Sequence, residues 1–155
     1  MKKILLSVLL MLLAGCDYEV PLSQTPSAPA NPALAGSWVQ KAAQETFTMN
    51  IRASGTDYAV TYGEVGESPL TFKGFTVETA DLKLIQLELT DSGITKYLFV
   101  KYELTPEGLS VYRLNKQVVS ALCRTSEELR DDIALHKNNP ALFEEPIKFT
   151  CSVSQ

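Results

Sequence analysis

Apolar residues recur at every second position over much of the chain. Phe47, Met49 and Ile51 alternate with Thr46, Thr48, Asn50 and Arg52, and Tyr58, Val60 and Tyr62 resume the alternation after Ser54-Gly55. A period of two marks strands with one buried face, and the Ser-Gly pair is hairpin punctuation. Further strands begin at Leu70, Phe72 and Gly74, run over 82–89, and continue through Leu98, Val100, Tyr102 and Leu104, then Leu109, Val111 and Arg113. Turns fall at 63–69, at Asp91-Ser92-Gly93 and at Thr105-Pro106-Glu107-Gly108. Strands at this spacing predict an all-β fold, an antiparallel meander barrel of about eight strands. One α-helix is inserted before the last strand. Thr125-Ser126-Glu127-Glu128 forms a capping box, Leu129, Ile133 and His136 share a face, and Asn138-Asn139-Pro140 ends the run. The helix should close one end or one side of the barrel, and Ile147, Phe149, Cys151 and Val153 form the closing strand.

The pattern differs at the amino-terminal end. Met1-Lys2-Lys3 precedes ten apolar positions, 4–13, broken only by Ser7. About 20 would be needed to span a bilayer, so residues 1–15 read as a secretory signal peptide. Leu13-Ala14-Gly15-Cys16 resembles the lipobox of bacterial lipoproteins. That resemblance implies cleavage before Cys16, a diacylglyceryl group on its thiol and, usually, a further acyl chain such as palmitate on the new amino terminus. Asp17 resembles the sorting signal that keeps enterobacterial lipoproteins in the inner membrane. The implied location is the bacterial cell envelope, anchored by lipid with the domain in the periplasm, the inner membrane favoured over the outer. Residues 16–35 carry Pro21, Pro26, Pro29 and Pro32 among small polar residues. This composition suits an extended tether, holding the domain of residues 36–155 up to about 50 Å from the membrane.

The 155 residues are 45% hydrophobic and 21% charged, enough for one core. Losing Lys2 and Lys3 with the signal peptide takes the formal charge from −4 to −6, which argues against a nucleic-acid partner. With Cys16 assigned to lipid, Cys123 and Cys151 remain. In an oxidising compartment such a pair is most often a disulfide, here fastening the helical insertion. His136, the lone histidine, sits where a cation complements the helix dipole. The pairs Glu127-Glu128, Asp131-Asp132 and Glu144-Glu145 read as solvated faces, because adjacent helix residues point apart. Nucleophile elbows, zinc spacings and phosphate loops are missing from the sequence, so no catalytic residue, metal or cofactor is assigned and the chain reads as no enzyme.

Gly36-Ser37-Trp38 resembles the G-x-W motif that opens the first strand of lipocalins, where the tryptophan plugs the closed end of a small barrel. The family's basic partner for that tryptophan would fall to Arg113 or Arg124. More broadly, residues 34–155 resemble small lipocalin-like bacterial lipoproteins of unknown function. The resemblance implies a small apolar ligand or an envelope protein as partner, with Trp38, Tyr58, Tyr62 and Tyr102 as candidate ligand-binding residues. Tyr97, Phe99 and Tyr112 complete the strand aromatics, and a filled core is the simpler use for the set. A second resemblance lies in Ser54-Gly55-Thr56-Asp57-Tyr58 and in Lys73-Gly74 after Phe72, similar to motifs of bacterial lipoprotein inhibitors of c-type lysozyme. It implies a serine-bearing loop that enters the lysozyme cleft.

Overall fold

The computed structural model describes residues 18–152; the signal peptide, Cys16, Asp17 and Val153 lie outside them. Eight antiparallel strands follow one another round a closed barrel. They are β1 (Gly36–Ala42), β2 (Glu45–Ser54), β3 (Asp57–Glu64), β4 (Leu70–Thr79), β5 (Leu82–Asp91), β6 (Ile94–Thr105), β7 (Gly108–Arg113) and β8 (Ile147–Cys151). The last strand closes onto the first, with Trp38 opposite Cys151 and Val39 opposite Thr150. The helix, α1 (Ser126–His136), precedes β8 as the sequence predicts.

Period two explains the barrel interior. Met49, Ile51, Tyr58, Val60, Phe72, Ile85, Val100, Leu109 and Phe149 meet there with Trp38 and Leu34. Gly74 is the next inward position after Phe72, and it is glycine for a steric reason: a Cβ there would lie 2.5 Å from the carbonyl oxygen of Gln86.

A second core lies on the opposite, outer face of β4, β5 and β6. Val77, Leu84 and Phe99 project there and are covered by Leu129 and Ile133 of α1, by Val119 and by Tyr18 and Leu22. The helix therefore covers a side of the barrel, with Leu129 and Ile133 fully buried. Its cap is the expected one, the Thr125 hydroxyl accepting from the Glu128 amide at 3.1 Å. Glu128 reaches back one residue further than a capping box requires, to the amide of Arg124 at 2.8 Å.

Two expectations change. Residues 18–35 do not stand off as a tether but form a strap along the barrel wall. The prolines keep the strap extended, yet Tyr18, Leu22 and Leu34 are buried. Barrel stagger explains where it docks. β7 stops at Arg113, opposite Val100, so the first half of β6 has no β7 partner; Tyr18 pairs there with Tyr97, by backbone bonds of 2.9 and 2.8 Å. β3 begins opposite Phe75, and beyond it Ala28 bridges to Thr76 on the unpaired edge of β4. Between the two, Gln86 projects outward from β5 and holds the strap: its Oε1 accepts from the amides of Leu22 and Ser23, and its Nε2 donates to the carbonyl of Ser23. Arg130 of α1 donates to the carbonyl of Leu22.

The Cys123–Cys151 disulfide is the second correction, since both thiols are free. Cys123 packs in the outer core ahead of α1, whereas Cys151 is exposed at the end of β8, across from Trp38 on β1. A bond requires Cα atoms within about 7 Å, which these two places do not provide. Burial pushes the Cys123 thiol pKa up, and the carboxylates of Asp132 and Glu128 push it further, so its reactive thiolate is disfavoured.

Candidate functional site

At one end of the barrel the strap turns inward. Asn31 caps a 3-10 turn, Pro32–Leu34, its side chain accepting from the Ala33 amide at 3.0 Å, with proline at the first helical position. This turn drives Leu34 into the barrel mouth as a plug. Three contacts hold it. The Asn31 amide donates to the Tyr58 hydroxyl at 2.6 Å, Asn31 Nδ2 donates to the Tyr102 hydroxyl at 3.0 Å, and Trp38 Nε1 donates to the Leu34 carbonyl at 3.0 Å. The Ala30 amide adds a bond to the Gly55 carbonyl in the β2–β3 hairpin.

Beneath the plug lies a cavity of about 50 Å³, bounded by Leu34, Met49, Ile51, Tyr58, Ile85, Tyr102 and their neighbours. It is about a third of the roughly 150 Å³ in which an engineered apolar cavity holds benzene. Both tyrosine hydroxyls are turned to Asn31, so the lining is apolar. Such a cavity stays dry and offers dispersion contacts, without hydrogen bonds to fix an orientation.

The candidate aromatics separate. Tyr58 and Tyr102 line the cavity. Trp38 is buried at the plugged end, as the G-x-W resemblance implies, but its polar partner is the Leu34 carbonyl and neither arginine. Arg113 lies at the other mouth in a 2.6 Å ion pair with Glu144. Tyr62 is at that mouth too, stacked on Phe47 at 5.8 Å and donating to Gln40 Oε1 at 3.1 Å. Burial holds its phenol above the ordinary value, with Arg113 opposing the shift. Tyr97 and Phe99 face the outer core, and Tyr112 is hydrogen-bonded to Glu103 at 2.9 Å.

The residues that resemble the lysozyme-inhibitor motifs have duties within the fold. Gly55 takes the positive φ of a hairpin turn, 60°, Tyr58 is a core residue, and Gly74 is required by the approach of β5. His136 contacts Asp132 at 3.4 Å, one turn earlier on α1. Among the described residues no group of three or more His, Cys, Asp or Glu could hold a metal ion, and no helix is long and apolar enough to cross a membrane. The plug itself was readable in principle: Asn31-Pro32 is a helix-start signal, obscured by the other prolines around it.

In comparisons with known proteins, no family model, curated protein or solved structure matches the chain. The fold it defines is a closed eight-stranded meander barrel, consistent with a lipocalin-like one.

Proposed function

We propose that the chain is a non-catalytic binding module of the bacterial cell envelope, anchored by lipid on Cys16 in the inner membrane with its barrel in the periplasm. Its ligand would be a very small apolar molecule, taken beneath the Leu34 plug. The observation that carries this reading is the apolar cavity roofed by a turn that hangs on two tyrosine hydroxyls and one indole. A guest larger than the cavity gains room if Leu34 withdraws, and only the plug needs to move.

The test uses the full chain exported with Cys16→Ser, which keeps the strap and removes the lipid. Native and denatured masses are compared, and the melting temperature is followed as benzene or short alkanes are added. A ligand bound only by the folded state raises the melting temperature in a concentration-dependent way. Leu34→Ala should enlarge the pocket and increase the rise. A barrel that carries no extra mass and shows no rise in either form would exclude the cavity as a binding site.

A further inference from the structure

The polar atom of the Trp38 side chain faces the plug. Its indole N–H donates to the Leu34 carbonyl at 3.0 Å, and the residue is 6% exposed. An indole N–H donates and does not accept, so it needs an oxygen at this place whatever group sits there. The tyrosine hydroxyls are less demanding. Those of Tyr58 and Tyr102 accept from Asn31 while the plug is in place, and each donates or accepts as its partner requires.

Leu34 therefore behaves as the site's own guest. Its side chain is buried and bounds the cavity, while its carbonyl takes the indole proton. A branched alkyl chain that ends in a neutral carbonyl reproduces both contacts. A hydrocarbon in the same place leaves the indole N–H without an acceptor, at the cost of desolvating a buried donor. Charge is disfavoured more strongly. Among the described residues that bound the cavity there is no lysine, arginine or histidine, so a carboxylate here would be buried without a counter-charge. The Pro32–Leu34 turn is joined to β1 through Ala35 and Gly36, both exposed, and nothing lies within 4 Å of the place of a Gly36 Cβ, so the turn has room to swing out.

Taking the cavity as a binding site, the reading on which this step rests, we infer that the plugged end binds a neutral, branched-chain carbonyl compound in the place of Leu34, its oxygen accepting from the Trp38 indole N–H. A guest beneath a closed plug meets dispersion contacts alone, whereas one that takes the plug's place also takes over its hydrogen bond. Trp38 is then the residue that selects the guest, and the two tyrosine hydroxyls adapt to it.

The experiment uses the full chain exported with Cys16→Ser and guests of one skeleton: methyl isoamyl ketone, which reproduces the Leu34 side chain and carbonyl, the hydrocarbon diisobutyl, and the carboxylate isocaproate. Affinities come from the concentration dependence of the melting temperature. Comparing the ratio of ketone to hydrocarbon affinity with and without Trp38→Phe cancels the different costs of leaving water. That ratio should fall about ten-fold in Trp38→Phe, the worth of one buried hydrogen bond. Trp38 is the sole tryptophan, so its indole N–H gives a single resonance, and the ketone's acetyl methyl should show a nuclear Overhauser contact to it without any substitution at Trp38. Isocaproate should leave the melting temperature unchanged. An unchanged ratio in a folded Trp38→Phe chain, a bound ketone with no contact to the indole N–H, a hydrocarbon that binds alone, or isocaproate bound as well as the ketone overturns this class of guest and leaves the apolar pocket standing. A chain whose melting temperature none of the guests raises overturns both.

Discussion

Tyr58 and Tyr62 lie four residues apart on β3 and face the same interior, yet their hydroxyls serve different ends of the barrel. The Tyr58 hydroxyl accepts from the Asn31 amide and holds the plug, whereas that of Tyr62 donates to Gln40 at the other mouth. Because burial raises the Tyr62 phenol pKa, the folded state keeps its proton to higher pH than the unfolded chain does. The resulting stabilisation is complete below the unfolded value of about 10 and is lost as pH rises through the folded one. Urea midpoints measured from pH 8 to 11 should therefore fall less steeply for Tyr62→Phe than for the parent chain. Parallel curves would show that the phenol titrates alike in both states. Alternation alone placed both rings inside; which hydroxyl would meet which partner depended on Asn31 and Gln40, far away in sequence.

Among the elements, the strap depends most on a single side chain. Gln86 is 3% exposed, and both ends of its amide are occupied by strap backbone. Gln86→Leu keeps the bulk but strands the buried Leu22 amide, a loss of about 1–3 kcal/mol. Limited proteolysis mapped by mass should show cleavage within 19–29 rising well above the parent while the barrel strands stay protected; unchanged cleavage would mean that other contacts hold the strap. The barrel strands and α1 were legible because hydrophobic period and capping chemistry are local. The strap was not, since its prolines and small polar residues are those of a solvated linker. A trace of it stood in its partners. Leu84-Ile85 and Leu98-Phe99-Val100 break the alternation, and a strand apolar on both faces needs a cover on both. The Cys123–Cys151 pairing failed for a related reason: counting cysteines is no measure of the distance between a barrel rim and an outer core.

For the whole molecule, the strap and α1 complete the barrel rather than decorate it. A chain starting at Ala35 would expose Leu84 and Phe99 and the unpaired edges of β4 and β6 around Thr76 and Tyr97. Open edges beside apolar surface template association. Light scattering on such a truncated chain should report larger species, or aggregate, than the chain with its strap gives under the same conditions. A monodisperse truncated monomer would show that the barrel wall needs no cover. The site follows the same division: its lining was legible as inward alternation, and its roof was not, because Leu34 and Asn31 come from the strap.

The strap also sets an order of events. Its partners lie far along the chain: Gln86 is 64 residues from Leu22, Val119 is 101 from Tyr18, and Arg130 is 108 from Leu22. Contacts of such separation form late, after the local hairpins. In a chain that emerges amino-terminal end first, the strap is out before anything exists to receive it. Residues 18–30 must wait until position 130 has followed before the strap can dock. Until it docks, Leu84 and Phe99 lack part of their cover, so that interval is when the outer core is most open to association with other chains.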